Sequence, residues 1–512
     1  MIRKAKTENG WVRGIEAADP RITAFRGIPF AAPPVGKNRW RAPQPCEDWE
    51  GVRDAFRFAP IAVQDTPGLG EDIYCREWHV DPEIPMDEDC LYLNVWTGAK
   101  EAEEKQPVLI WFYGGGLQWG YPSEMEFDGE RLARRGIVVV TVNYRINVFG
   151  FMAHPRLTQE QPDAPANFGS LDQQAGIKWV IRNIRAFGGD PDNITIAGQS
   201  AGGGSVLSQM ACPGNAGLFK RAVIMSGMIR SPYEESSVGT PEPLRKAEEN
   251  GVDFLKFLGV STLEEARELD AFYIRDKYAE YVQNAPRMFT VEDGQFCIGD
   301  PLLLFLQGKC ADVAVMAGNT VDEFPSFLSA ESEEELAKKA GSIFGGHAGK
   351  FLELLEKEAE SSEGVFGEAK QYGRVSGLEC TIKGAFGKRK AEGSRQDYYY
   401  YKFEPEIPGW DKPGCFHSVD LWFFFETLAK CWRPFTGRHY DLARQMCNYW
   451  ANFIKTGDPN GTDADGTPMP KWNPYTDKQA AEMVFATDGA APAVGDSPFV
   501  RFLSRWIVRK CR

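Results

Sequence analysis

An α/β fold, with a central, mostly parallel sheet between layers of helices, is predicted by three observations. Short runs rich in Val, Ile, Tyr and Phe recur at 108–113, 137–143, 194–199, 222–226, 313–317 and 398–403. Their apolar character is continuous rather than alternating, as in strands covered on both faces. The segments 171–184 and 440–454 carry apolar residues at helical spacing and supply covering layers. Finally, 54–87, 230–300 and 331–394 lack strand character and are too long for simple connections, so they are expected to be mainly helical insertions that wall or cap a site. With no internal repeat or low-complexity linker, a single domain is expected over 1–512.

Composition narrows the function before any motif is considered. At 43% hydrophobic and 25% charged, the chain has what it needs to bury a large core. Its net charge of -14 argues against nucleic acid or an anionic membrane as partner, since both demand concentrated positive charge. The short run Lys388-Arg389-Lys390 reads as a solvated face. No stretch reaches the roughly 18 apolar residues of a membrane span, and the opening Met1-Ile2-Arg3-Lys4-Ala5-Lys6 lacks an apolar leader core, so a cytoplasmic protein is expected. Eleven cysteines lie scattered, with no C-x-x-C and no Cys/His cluster at metal-ligand spacing, so neither a redox pair nor a zinc site is indicated, and the serine chemistry read below requires no metal or organic cofactor. Cys75 and Cys90 could bridge a loop only in an exported protein.

Taken in order, each strand run hands over to a chemically informative loop. The run 108–113 ends in Gly114-Gly115-Gly116, where backbone N–H groups can meet a developing oxyanion without an intervening side chain. The run 194–199 leads into Gly198-Gln199-Ser200-Ala201-Gly202, a G-x-S-x-G whose strand-to-helix turn would raise the Ser200 hydroxyl above the sheet. Ala201 N–H would be the remaining oxyanion donor. A serine needs a base, and the base an orienting acid, in the chain order Ser, acid, His. The run 313–317 is followed by Asp322 and Glu323, which spacing alone does not separate. Of the later histidines, His417 stands in a short loop entering the apolar run 421–425, whereas His347 and His439 occupy ordinary surface contexts. The chain closes on Ser497-Pro498 and an amphipathic helix expected to dock against the body.

These motifs resemble the type-B carboxylesterases, a family of the α/β-hydrolase fold that includes cholinesterases, bacterial p-nitrobenzyl esterases and fungal lipases. The resemblance runs through Phe25-Arg26-Gly27-Ile28-Pro29-Phe30, Glu88-Asp89-Cys90-Leu91-Tyr92-Leu93-Asn94, the glycine loop, Asn143-Tyr144-Arg145, Phe187-Gly188-Gly189-Asp190-Pro191, the serine motif and Gly457-Asp458-Pro459-Asn460. It implies Ser200 as nucleophile, Glu323 rather than Asp322 as acid and His417 as base, with Gly115, Gly116 and Ala201 as the oxyanion hole. It also implies that Arg39, Glu88, Arg145 and Asp172 form buried ion pairs, and it gives Ser226 as a support for the acid or, equally, a core serine. Two positions depart from the family pattern. Gln199 stands where glutamate is usual, which removes an anion that would favour a cationic substrate. Leu117 follows the glycines where an aromatic is common, so Gln199, Leu117 and Trp119 are the candidate pocket residues that set substrate preference.

The resemblance implies hydrolysis of a small-molecule carboxylic ester through an acyl-enzyme. Two other readings stand beside it: a non-catalytic binding protein on the same scaffold, and a hydrolase specialised for phenolic-acid esters, lipids or amides.

Overall fold

Eleven strands form one mixed sheet in the computed structural model, which describes residues 1–234, 239–361, 371–476 and 478–511. In chain order they are Ile15–Glu16 (β1), Thr23–Pro29 (β2), Tyr92–Thr97 (β3), Gln106–Phe112 (β4), Val138–Val142 (β5), Gly189–Gln199 (β6), Arg221–Met225 (β7), Ala314–Thr320 (β8), Tyr398–Phe403 (β9), Ala481–Ala486 (β10) and Gly489–Val494 (β11). Their spatial order is β11-β10-β9-β8-β7-β6-β4-β5-β3-β2-β1. Every pairing from β5 across to β10 is parallel. The antiparallel pairs lie at the margins.

All six apolar runs of the sequence are strands of this sheet, and they form most of its parallel centre. Val138–Val142 is buried along its whole length, as is β4 from Val108 to Phe112. Each such Val, Ile or Leu contributes about 1.5–3 kcal/mol of burial. Helices Phe168–Asn183, Ala201–Ala211 and Gly437–Thr456 supply the layers. The last ends cleanly because Gly457 takes φ +86°, the left-handed cap that glycine adopts freely.

Register decides where the site lies. Gln199 of β6 pairs with Met225 of β7, Met225 with Gly318 of β8, and Gly318 with Tyr401 of β9. Phe112 of β4 is level with Gly198. The carboxyl ends of five adjacent parallel strands thus finish in one row, and the loops leaving them converge on one edge of the sheet.

The insertions differ from expectation in one respect. The segments 230–300 and 331–394 are helical, with Leu244–Phe257, Leu263–Glu268 and Ala271–Tyr281 in the first and Glu333–Phe344, Ala348–Ser361 and Gly377–Ala391 in the second; their parts 235–238 and 362–370 lie outside the described residues. By contrast, 54–87 is almost entirely irregular, with the single turn Tyr74–Glu77. Pro60, Pro67, Pro82 and Pro85 remove backbone donors along it, and Gly68 sits at φ +76°, so a longer helix cannot propagate. Phe254, Leu258, Ile274 and Tyr278 pack on Trp40, Phe151 and Phe168. Leu336, Phe344, Phe351 and Leu355 pack on Phe499, Leu503 and Ile507, so the terminal helix Pro498–Lys510 docks against the body, capped by the Ser497 hydroxyl. Among the described residues no helix is long and apolar enough to cross a membrane.

Candidate active site

The serine turn is built by close packing. Ser200 has φ +57° and ψ −126°, a conformation outside the regular regions that costs about 1–3 kcal/mol and persists only where surroundings impose it. Ser200 N–H donates to Met225 O at 2.9 Å, tying the turn to β7, while Gly204 N–H donates to Ser200 O at 2.9 Å, starting the helix. The flanking glycines are sterically required. A Cβ on Gly198 would lie 2.7 Å from Phe112 O, and one on Gly202 would lie 2.5 Å from Tyr113 O. The helix Ala201–Ala211 then directs its positive N-terminal end at the same spot.

Glu323, fully buried as a side chain, is oriented at both oxygens. Oε1 accepts from Ser226 Oγ at 2.6 Å and from Thr320 N–H at 2.7 Å, while Oε2 meets His417 Nδ1. The competing Asp322 is engaged elsewhere, since its Oδ2 accepts from Cys415 N–H at 2.7 Å and ties the acid loop to the histidine loop. Ser226 therefore holds the Glu323 carboxylate and is not merely a core serine. His347 contacts Arg509 at the surface. His439 is buried rather than exposed, because it packs into the first turn of Gly437–Thr456, where its Nδ1 accepts from Thr436 N–H and its Nε2 donates to Glu406 O.

His417 Nε2 rests against the Gln199 side-chain amide at 3.3 Å, rather than against Ser200 Oγ. With Nδ1–H donating to Glu323, Nε2 keeps its lone pair, and the Gln199 N–H is the donor to it. Ser200, Gln199 and His417 nevertheless line one pocket of about 310 Å³. Gly114, Gly115 and Gly116 line it as well, and a Cβ on Gly114 would stand 3.1 Å from Ser200 Cβ. Gly115 and Gly116 hold φ of +103° and +61°. Among the described residues, the N–H groups of Gly115, Gly116 and Ala201 have no acceptor within the protein, which leaves three donors unpaired, two of them on residues that line the pocket with Ser200.

Trp119 lines the pocket, with the Arg287 guanidinium 5.4 Å from its ring centroid. Leu117 does not: its side chain packs against two apolar clusters, and its carbonyl accepts from Asn147 N–H at 2.6 Å. Sequence reasoning missed Tyr74, Trp78, His79, Glu124, Phe127, Phe324, Ser418 and Leu421, which complete the lining. Among the described residues of the three insertions, only those of 54–87 reach this pocket, through the cluster Tyr74, Trp78 and His79, whose aromatic spacing was the available signal.

Electrostatics separate the carboxyls around the pocket. Burial, reinforced by Glu124, pushes the Glu126 carboxyl well above the usual range. Asp420, behind the histidine, is pushed up to about 7, first by burial and then by the Glu323 charge, while its Oδ2 accepts from Tyr401 O–H at 2.8 Å. Desolvation and the Glu323 charge push the Tyr74 phenol up to about 12. The expected ion pairs are present: Arg145 grips Asp172 through Nε and Nη2, both at 2.7 Å, and Arg39 Nε meets Glu88 at 2.7 Å. Cys75 and Cys90 are both free thiols.

Comparison with known proteins agrees with this geometry. The Carboxylesterase family pattern matches residues 3–374 and 378–497. The chain is 32% identical over 510 residues to a mouse (Mus musculus) cholinesterase, covering 91% of this chain and 80% of the relative. Among solved structures it is similar to the Geobacillus stearothermophilus carboxylesterase EST55 (28% identity, TM-score 0.73, 98% of this chain and 99% of that one). It is also similar to a PNB esterase (27% identity, TM-score 0.76, 98% and 99%). The chain belongs to the carboxylesterase family and is a carboxylic-ester hydrolase of the α/β-hydrolase fold.

Proposed function

We propose that the chain cleaves small-molecule carboxylic esters through an acyl-enzyme, with Ser200 as nucleophile, His417 as base and then acid, and Glu323 as the group that orients the imidazole. The observation that carries this reading is convergence: a strained serine, a Glu–His pair and three unpaired N–H donors meet at one pocket. His417 Nε2 takes the Ser200 proton as Oγ bonds to the ester carbonyl carbon. The carbonyl oxygen gains the electron pair and is met by the N–H groups of Gly115, Gly116 and Ala201. Collapse expels the alcohol, which takes the proton from Nε2, and water repeats the sequence to release the acid. The Gln199 amide holds Nε2 in the resting protein and yields it to Oγ on substrate entry, since catalytic hydrogen bonds tighten in the Michaelis complex.

On the same reading the whole chain is one domain working in the cytoplasm, in keeping with eleven unpaired cysteines. Uncharged esters are favoured over choline esters, although the mouse relative carries a cholinesterase name. Gln199 brings no charge, and the Glu124 carboxylate is already engaged by His79 Nε2 at 3.1 Å. The aromatic lining of Tyr74, Trp78 and Phe127 also favours a second reading, an ester with an aryl group. A matched panel of alkyl, hydroxycinnamoyl and long-chain esters, with a simple amide, tests both. Turnover lost in Ser200→Ala and labelling of the wild type by a fluorophosphonate are expected. Undiminished turnover in Ser200→Ala, after host esterases are excluded, would overturn the assignment, and failure to label would favour a binding-only role.

A further inference from the structure

Phe324 is a pocket residue used by neither the triad nor the oxyanion donors. It follows Glu323 directly and holds φ at +37°, a region that a bulky side chain rarely adopts. The segments on either side fix it there. On one side Asp322 N–H donates to Cys415 O at 3.2 Å, and Cys415 N–H returns a bond to the Asp322 carboxylate at 2.7 Å. On the other, Pro325 opens the strand Pro325–Ser329, which pairs antiparallel with Gln371–Ser376. Strain maintained between two fixed segments, beside a reacting group, points to a functional role.

The surroundings of the ring define that role. It is 50% exposed, yet one face lies against the His417 imidazole, with centroids 4.4 Å apart and planes at 58°. The Tyr74 hydroxyl, 3.5 Å from His417 O, and Leu421 continue the same wall. In the hydrolysis proposed above, on which this inference rests, the ester carbonyl oxygen lies at the glycine loop. The departing alcohol must take its proton from His417 and therefore leaves along the imidazole side. We propose that Phe324 is a specificity-determining residue: it bounds the space for the leaving alcohol, excludes bulky alcohols, and leaves acyl preference untouched.

The test uses the full-length protein and two ester series. One holds the acyl group as acetate and enlarges the alcohol from methyl to cyclohexyl, followed by pH-stat; the other holds 4-nitrophenol and lengthens the acyl group from acetate to octanoate. Phe324→Gly is expected to raise the cyclohexyl-to-methyl ratio of kcat/KM by about tenfold or more, the scale on which pocket contacts discriminate apolar groups. The acyl ranking is expected to hold within about twofold. Phe324→Ala serves in its place if the glycine variant does not accumulate. An unchanged alcohol ratio in an active variant, or a shifted acyl ranking, overturns the proposal and leaves the hydrolase reading standing. Absence of any turnover by the wild type removes both.

Discussion

Glu323→Gln is the substitution that most sharply tests the site, because the two amide orientations have opposite consequences and the structure selects between them. Glu323 Oε1 accepts from Thr320 N–H at 2.7 Å and Ser226 Oγ at 2.6 Å, and Oε2 accepts from His417 Nδ1. The Ser226 hydroxyl can turn and accept. The Thr320 amide can only donate. A glutamine side chain, almost the same shape, must therefore place its carbonyl oxygen at Thr320 and its NH₂ group at His417. Nδ1 then has to accept, the imidazole proton moves to Nε2, and the nitrogen facing the pocket can no longer take a proton from Ser200. Loss of the correct tautomer with geometry intact lowers kcat by about 10⁴-fold in serine hydrolases, equivalent to about 5 kcal/mol of barrier. KM is expected to stay within about threefold, since nothing that touches the ester changes. Steady-state kinetics on one chromogenic ester, with circular dichroism to verify folding, reads the effect. A loss of less than about tenfold in kcat would refute the orientation argument and the role given to Glu323.

Three further outcomes follow from the same contacts. Gly115→Ala places a methyl group 2.7 Å from the Trp119 carbonyl carbon at φ +103°, whereas at Gly116 the nearest atom to a new Cβ is 4.0 Å away. Gly115→Ala is therefore expected to lose about 10²-fold or more in kcat, the scale of one oxyanion donor, and Gly116→Ala markedly less. Asp172→Ala leaves the Arg145 guanidinium buried without its carboxylate, a loss of about 3–5 kcal/mol read as a lower guanidinium midpoint. Asp420→Asn tests the buried carboxyl behind His417. Its folded value of about 7 lies above the ordinary 3.8, so the contribution of Asp420 to wild-type stability is most favourable below pH 4 and declines as the pH rises toward 7. The variant is spared that cost, on the order of 4 kcal/mol. Its thermal advantage is expected to grow between pH 4 and 7 and stay level above; an advantage independent of pH would show that Asp420 does not titrate.

The parts of the fold legible in the sequence were those whose physical requirement is local. Buried parallel strands need continuous apolar runs, so β4, β5, β6, β7, β8 and β9 could be read directly. A hydroxyl on a strand-to-helix turn needs glycines where backbones nearly touch, which is what Gly198 and Gly202 record. The marginal strands β1, β2, β3, β10 and β11 were not read as strands, because antiparallel edge pairing leaves no comparable run: β11 includes Pro492 and exposed alanine, and β2 takes a bulge between Phe25 and Ile28.

Spacing could not choose between Asp322 and Glu323 because both belong to the loop leaving β8. What distinguishes them is partners far away in sequence: Cys415 N–H bonds the Asp322 carboxylate, while Ser226 and His417 bond that of Glu323. Phe324 was invisible for the same reason. No composition rule places an aromatic residue at positive φ, and its position follows only when the Asp322–Cys415 tie and the Pro325 strand are seen to hold the backbone between them. The proposed nucleophile and oxyanion donors are thus written into short motifs, whereas further residues lining the pocket come from irregular segments such as 54–87 and from a turn fixed by tertiary contacts. A chain can therefore announce its chemistry while concealing its substrate: strand ends impose the first through backbone geometry, and loops free of that constraint supply the second.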